Sequence, residues 1–434
     1  MFIIWLVALA YLVLGYLFRA HITDTTLMTV FFIVITSILL FFLLYLKYTK
    51  FLVIIYTGFL VRLGMVLYDL KERVPDLPHS GVDSENYYKT AQYISERMAL
   101  MGAEMYGGLY TKFLALIFHM YGDDRVFVQF LNVLMMMTAI IVVIKIFRML
   151  DVPNDIQLVL TAVMAFFPHS LIFSSILMRE AIITLMVALS LYSFVRWFKY
   201  REWSSAVLSI VFVLIGASFH TAIGGVMFGY LFGFIFYQHD KKAFRFTLKS
   251  IIPFAIFTMA VTYVLAYPES ISALPIYDKI DQVQRNNDNI YEAFTDDIGE
   301  SAYLSGLMVD NIYQMLLFSP VKVFYFIGSP MPWTIRNFND LIAFFLDGVF
   351  YLFALAVFVK NYALIKKRPI LGVILLSIAV IWFIFGFGIS NAGTALRHRF
   401  KIFYIIIVAF GLIWTYAAKE KEKNRQGMPV KEVP

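Results

Sequence analysis

The sequence predicts an all-α, polytopic integral membrane protein with about twelve transmembrane helices, two further re-entrant or interfacial helices, and both termini in the cytoplasm. Three observations carry that expectation. The 434 residues are 61% hydrophobic and only 15% charged, whereas a soluble chain is about 45–50% apolar and about 25% charged. Mean hydropathy is +0.77, more apolar surface than a water-soluble fold can hide. Runs of the roughly 20 apolar residues needed to cross a hydrocarbon core about 30 Å thick recur from end to end.

In order, the apolar runs fall at roughly 2–18, 26–46, 51–68, 126–147, 157–176 and 178–197, then 204–218, 221–238, 248–266, 340–359, 369–387 and 401–418. The first is read as a retained span, because it has no basic leader and no small-residue cleavage site before Arg19. Basic clusters fall on alternate connections, at Lys47/Lys50, Lys145/Arg148, Arg196/Lys199/Arg201, Lys241/Lys242/Arg245, Lys366/Lys367/Arg368 and Lys419/Lys421/Lys423/Arg425. Lys and Arg are retained on the cytoplasmic side, so all six clusters can lie inside. That scheme requires Leu109–Tyr121 and Tyr313–Phe326, both shorter than a comfortable span, not to cross. Such segments roof a cavity or lie in the interface.

This reading gives one transmembrane domain over 1–418, with outer loops at 69–108 and 268–310, and a basic cytoplasmic tail at 419–434. The second loop, with QRNNDN and EAFTDDIGE, is either a mobile lid or a solvated loop. No internal repeat or low-complexity tract is visible. The net charge of +7 sits in loop clusters and does not indicate nucleic acid. The absence of cysteine excludes disulfides, thiolate nucleophiles and Cys-ligated zinc.

Charged groups that could do chemistry collect on the outer connections. In HSGVDSENYYKTAQYISERM, Asp83 and Glu85 can act as general bases or hold a divalent cation, or can cap a helix in which Tyr87, Ala91 and Ile94 share a face. Arg179 and Glu180 border a span after Pro168, Ser174 and Ser175, and charges there mark a substrate path or pair with each other. His220 ends a span beside Gly216, Ala217, Gly224 and Gly225, small residues that let helices approach. SNAGTALRHRFK places Arg397, His398, Arg399 and Lys401 outside, against the positive-inside bias; Arg suits bidentate phosphate recognition, and a lipid headgroup cluster is the alternative. Arg62, in the third span, can join such an anion site. In FSPVKVFYFIGSPMPWTIRNFND, Pro320, Pro330, Pro332 and Trp333 predict a broken aromatic segment suited to a lipid chain or the interfacial belt.

Over roughly 50–415 the chain resembles the bacterial GT-C-type membrane glycosyltransferases: an acidic first outer loop, P-x-S-L-x-x-S-x-x-x-x-R-E at Pro168–Glu180, SPMPW, and N-x-G-T-x-x-R-x-R at Asn391–Arg399. The resemblance implies transfer of a sugar from a polyprenyl-phosphate or diphosphate donor to a glycan or lipid acceptor, outside a bacterial cell membrane, in cell-envelope polysaccharide assembly. It implies Asp83 as the base. An acidic loop followed by N-Y-Y, R-E-x-x-x-x-L and A-S-F-H-T-A is also similar to polysaccharide polymerases of the Wzy and EpsG kind, which join lipid-linked repeat units.

The mechanism expected from these residues is inverting transfer. Asp83, with Glu85, takes the acceptor proton, and Arg179, Arg397 and Arg399 stabilise the departing phosphate. Arg62, Glu180, His220 and His398 complete the expected substrate site, in one outer cavity. A transporter or flippase is the rival class, although transporters usually place polar groups near the midplane of repeated halves.

Overall fold

In the computed structural model, residues 1–19, 21, 24–71, 77–97, 107–267, 269, 301–304, 307, 309 and 312–425 are described. The chain is an all-α polytopic membrane protein. Among the described residues, seven helices are long and apolar enough to cross a bilayer, or eight if one bent pair is a single span. The stretches QRNNDN and EAFTDDIGE, and the end of the basic tail, lie outside the described residues.

The chain divides into two compact units. The first comprises Met1–Arg148 and Pro153–Ala188, and the second Met149–Val152 and Leu189–Pro434. The first unit contains α1 (Phe2–Leu17), α2 (Thr26–Lys47), α3 (Leu52–Lys71), α4 (Glu85–Arg97), α5 (Leu109–Tyr121), α6 (Arg125–Met149), α7 (Asn154–Phe166), α8 (Pro168–Ser175) and the first turns of α9 (Glu180–Tyr200). Its centre is α6, buried on all sides from Phe127 to Ile144. An all-round apolar helix can only be a core element.

Two departures from the expected spans shape this unit. The apolar run at 157–176 is bent by 49° between α7 and α8. Pro168 explains the break: its ring disfavours helical backbone at the preceding residue, and Phe167 is extended (φ −59°, ψ 126°). A π-helical turn over Ser80–Ser84 leads into α4. Helix α4 buries Tyr87, Ala91 and Ile94, the face its spacing predicts.

The second unit contains the rest of α9, α10 (Trp203–Phe219), α11 (Val226–Phe236), α12 (Leu248–Ala266), α13 (Ile312–Gly328), α14 (Phe338–Ala343), α15 (Val349–Lys360), α16 (Tyr362–Lys366), α17 (Pro369–Gly388), α18 (Ala392–Phe400) and α19 (Phe403–Arg425). A two-stranded antiparallel hairpin, Tyr237–Gln238 with Ala243–Phe244, joins α11 to α12. Helix α17 is central. A Cβ on Gly229 of α11 would lie 2.1 Å from Ser377 Oγ and 2.7 Å from Val373 O, both on α17. Small residues permit this contact between membrane helices. Prolines 330 and 332 break the chain as expected, leaving one short turn over Pro332–Thr334. Pro320, by contrast, lies inside α13. Membrane helices tolerate this where neighbours re-satisfy the freed backbone group.

Candidate functional site

In the first unit, buried polar side chains hold two interruptions of regular helix. Arg62 is fully buried on α3. Its Nη1 donates to Ala165 O at 2.7 Å and Gly58 O at 2.9 Å, and its Nη2 to Ser170 Oγ at 2.7 Å and Met164 O at 3.3 Å. These carbonyls at the end of α7 lose their helical partners at the bend, and buried carbonyls need donors. Arg62 therefore serves the backbone of the bend, which differs from its expected place among anion ligands.

The second interruption is the non-helical segment between Ser175 and Glu180. Asn132 Nδ2 of α6 donates to Ile176 O (3.0 Å) and Met178 O (3.2 Å), and Leu177 N–H donates to Ser84 Oγ (3.2 Å). The segment thus reaches the π-helical turn that carries Asp83. Arg179 is half-buried at its end, and Glu180 is fully buried as the first residue of α9. The buried phenol of Tyr110 lies beside Asn132 and feels both the Glu180 and Arg179 charges.

Above this lies an ionic network. Arg125, at the start of α6, donates through Nη1 to Glu85 Oε1 (2.5 Å) and through Nη2 to Ser84 Oγ (3.1 Å) and Asp69 Oδ2 (3.3 Å). Gln129 Nε2 donates to Asp69 Oδ2 at 2.6 Å, and Ser80 Oγ donates to Asp69 Oδ1. Asp69 is fully buried. Glu85, expected to assist as a base or cation ligand, is instead engaged by Arg125. In the turn before α6, burial pushes the Asp123 carboxyl above its ordinary range, and like charges on Glu96 and Asp124 add to this. Its bonds from Tyr88 and Gln92 oppose the shift.

Asp83 is treated differently. Its side chain keeps 23% of its accessibility, and its Oδ2 lies 3.2 Å from Nδ1 of His79, whose side chain is 20% exposed. The His79 ring sits 5.7 Å from Phe173, which stacks on His169 at 5.5 Å. A half-open carboxylate beside an imidazole can accept a proton from a hydroxyl and share it with the ring.

In the second unit, Asn391 caps α18 by accepting from Thr394 N–H at 3.1 Å. Arg397, His398 and Arg399 therefore occupy the last turn of a nine-residue helix. Cations are favoured at that negative end of the dipole. Consecutive helical residues point about 100° apart, so these side chains diverge. Arg399 is fully buried and donates to Phe326 O (2.9 Å), Ile327 O (2.8 Å), Ser329 O (2.6 Å) and Asp347 Oδ2 (2.5 Å). Asp347 sits in a second π-helical turn, Phe344–Gly348. Like Arg62, Arg399 stabilises broken backbone, here the SPMP segment, rather than presenting its guanidinium to a ligand.

His398 Nε2 meets His220 Nε2 at 3.0 Å, with Phe385 packed edge-on against both rings. Lys401 Nζ lies 5.5 Å from the same Phe385 ring. Arg397 is buried beside this pair in sequence.

Among the described residues, no three His, Asp or Glu side chains converge on a metal-sized site. With Glu85 held by Arg125, the acidic turn does not supply a divalent-cation cage from these residues. Among the described residues the buried cations are Arg62, Lys322, Arg397, Arg399 and Lys401, and the buried acids Asp69, Glu180 and Asp347. Sequence reasoning missed His79, Asp69 and the polar face of α6. The signal was present, since Arg125, Gln129 and Asn132 lie at i, i+4 and i+7 of a helix, and His79 lies four residues before Asp83. No family model matches this chain, nor does any curated protein or solved structure.

Proposed function

We propose that this chain is a multi-pass glycosyltransferase of the bacterial cell membrane, using a polyprenyl-phosphate- or diphosphate-linked sugar at the extracytoplasmic face. Twelve spans with cytoplasmic termini fit the proposal, because the twelve apolar runs fall largely on helix and the basic clusters alternate. Asp83 and Arg179 then face outward.

The treatment of Asp83 carries the reading. In one corner of the first unit, Asp69 and Glu85 are held by Arg125, whereas Asp83, about as accessible as Glu85 (23% against 20%), lies 3.2 Å from the His79 imidazole. Asp83 Oδ takes the proton of the acceptor hydroxyl as its oxygen attacks the anomeric carbon. The bond from that carbon to the phosphate oxygen breaks, and its electron pair leaves with the lipid phosphate. Arg179, at the end of the segment that reaches the Asp83 turn, supplies the positive charge for that phosphate.

Purified protein in liposomes is offered a panel of polyprenyl-phosphate- and polyprenyl-diphosphate-linked hexoses with membrane glycan acceptors, and released lipid phosphate is measured. Asp83→Asn is expected to lower turnover about 10²–10⁴-fold while leaving the melting temperature unchanged. Full activity in that variant would remove Asp83 from the chemistry.

A further inference from the structure

The hairpin between α11 and α12 carries a surface that the proposed transfer does not use. Around it the acids are committed: Arg196 pairs with Glu202 at 2.6 Å, Arg201 with Asp240 at 2.8 Å, and Lys199 with Asp151 at 3.6 Å. Lys241, Lys242 and Arg245 are exposed, and no ion pair is formed by them among the described residues. Beside them Trp203, Phe246 and Leu248 are 71%, 70% and 77% exposed.

This mixture is held in place. Tyr237 stacks on Phe198 at 4.3 Å, Trp197 meets His239 at 5.0 Å and Trp203 at 6.5 Å, and Phe236 packs on Phe246 at 4.7 Å. The rings hold the hairpin against the α9–α10 connection that carries Trp203, and Phe246 and Leu248 follow Arg245 closely in sequence. Basic groups flanked by exposed aromatic and aliphatic side chains match the headgroup boundary of a bilayer containing anionic lipid.

We infer that Lys241, Lys242 and Arg245 form a binding site for the phosphate headgroup of an anionic phospholipid, with Trp203, Phe246 and Leu248 seated at the start of its acyl chains. Charge complementarity selects this occupant. The site is independent of the Asp83 chemistry and survives its failure. Each cation near an anionic surface contributes about fivefold in affinity, so three contribute about a hundredfold.

The test uses the full chain in neutral detergent, titrated with short-chain phosphatidylglycerol, short-chain phosphatidylcholine or inorganic phosphate, with bound lipid counted by native mass spectrometry and stability followed by thermal melting. Phosphatidylglycerol is expected to bind and raise the melting temperature, and phosphatidylcholine and phosphate are not. Lys241→Gln/Lys242→Gln/Arg245→Gln should weaken that binding about a hundredfold, each single variant about fivefold, and 0.5 M salt should weaken it further. A control with Lys366→Gln/Lys367→Gln/Lys421→Gln should bind as the parent does. Equal loss in the control, equal response to phosphatidylcholine or phosphate alone, or unchanged binding in the triple variant would overturn the inference.

Discussion

Replacing Arg125 by Met tests how the corner beneath Asp83 is built. Arg125 is 10% exposed and touches Asp69, which is fully buried, and Glu85, which is 20% exposed. Met keeps much of the volume and removes the charge that Arg125 places beside Asp69, whose bonds from Gln129 and Ser80 remain. Breaking a buried pair by removing one partner typically costs about 3–5 kcal/mol, chiefly because the other charge stays buried. Glu85 can turn toward solvent and adds little. Arg125→Met should therefore lose about 3–5 kcal/mol. The double variant Asp69→Asn/Arg125→Met should recover part of this, since the neutral amide buries no charge, although its single oxygen can accept from only one of Gln129 and Ser80, which donate to different oxygens of Asp69. Reversible unfolding in mixed micelles measures both, together with Asp69→Asn alone to close the cycle. A loss below about 1 kcal/mol, or no recovery in the double variant, would refute the argument that the buried Asp69 depends on Arg125.

Gly229→Ala should cost about 1–3 kcal/mol in the same assay, because its methyl meets Val373 O, a backbone atom, at 2.7 Å. A neutral result would show that α11 and α17 are farther apart than described. His239, on the hairpin, is held below its ordinary pKa, mainly by burial against its neighbours and further by Arg201. Its folded form resists protonation, so its contribution is complete above the unfolded value near 6.5 and is lost as pH falls through the lower folded value. Thermal melting of the parent should fall more steeply than that of His239→Gln below about pH 6.5, and parallel curves would contradict this.

The polytopic helical character was legible because apolar runs of this length suit a bilayer, and seven or eight helices among the described residues are long and apolar enough to cross one; the buried face of α4 followed from Tyr87, Ala91 and Ile94 at helical spacing. The break at Pro168 was a harder reading, since the sequence around it stays apolar on both sides and only the proline marks it. Arg62 and Arg399, expected among the substrate ligands, are found bonded to backbone carbonyls for one physical reason. An arginine in an apolar run looks like a ligand site, yet broken helices inside a membrane protein also need donors for their freed carbonyls, and a guanidinium serves several at once. Which demand it meets depends on where the chain bends, and residue type does not reveal that. The pairing of His398 with His220 joins residues 178 positions apart, so no local pattern announces it. The π-helical turns that present Asp83 and Asp347 likewise leave no periodicity of their own.

The role of Asp83 depends on its turn facing outward while the basic hairpin faces the cytoplasm. The chain has no cysteine, so single thiols report without background. Val82→Cys, 69% exposed beside Asp83, and Lys242→Cys, on the hairpin, are treated in intact cells with a membrane-impermeant maleimide. Labelling of Val82→Cys in intact cells, with Lys242→Cys labelled only after permeabilisation, is the expected result. The reverse pattern would put Asp83 on the cytoplasmic side and contradict outward-facing transfer.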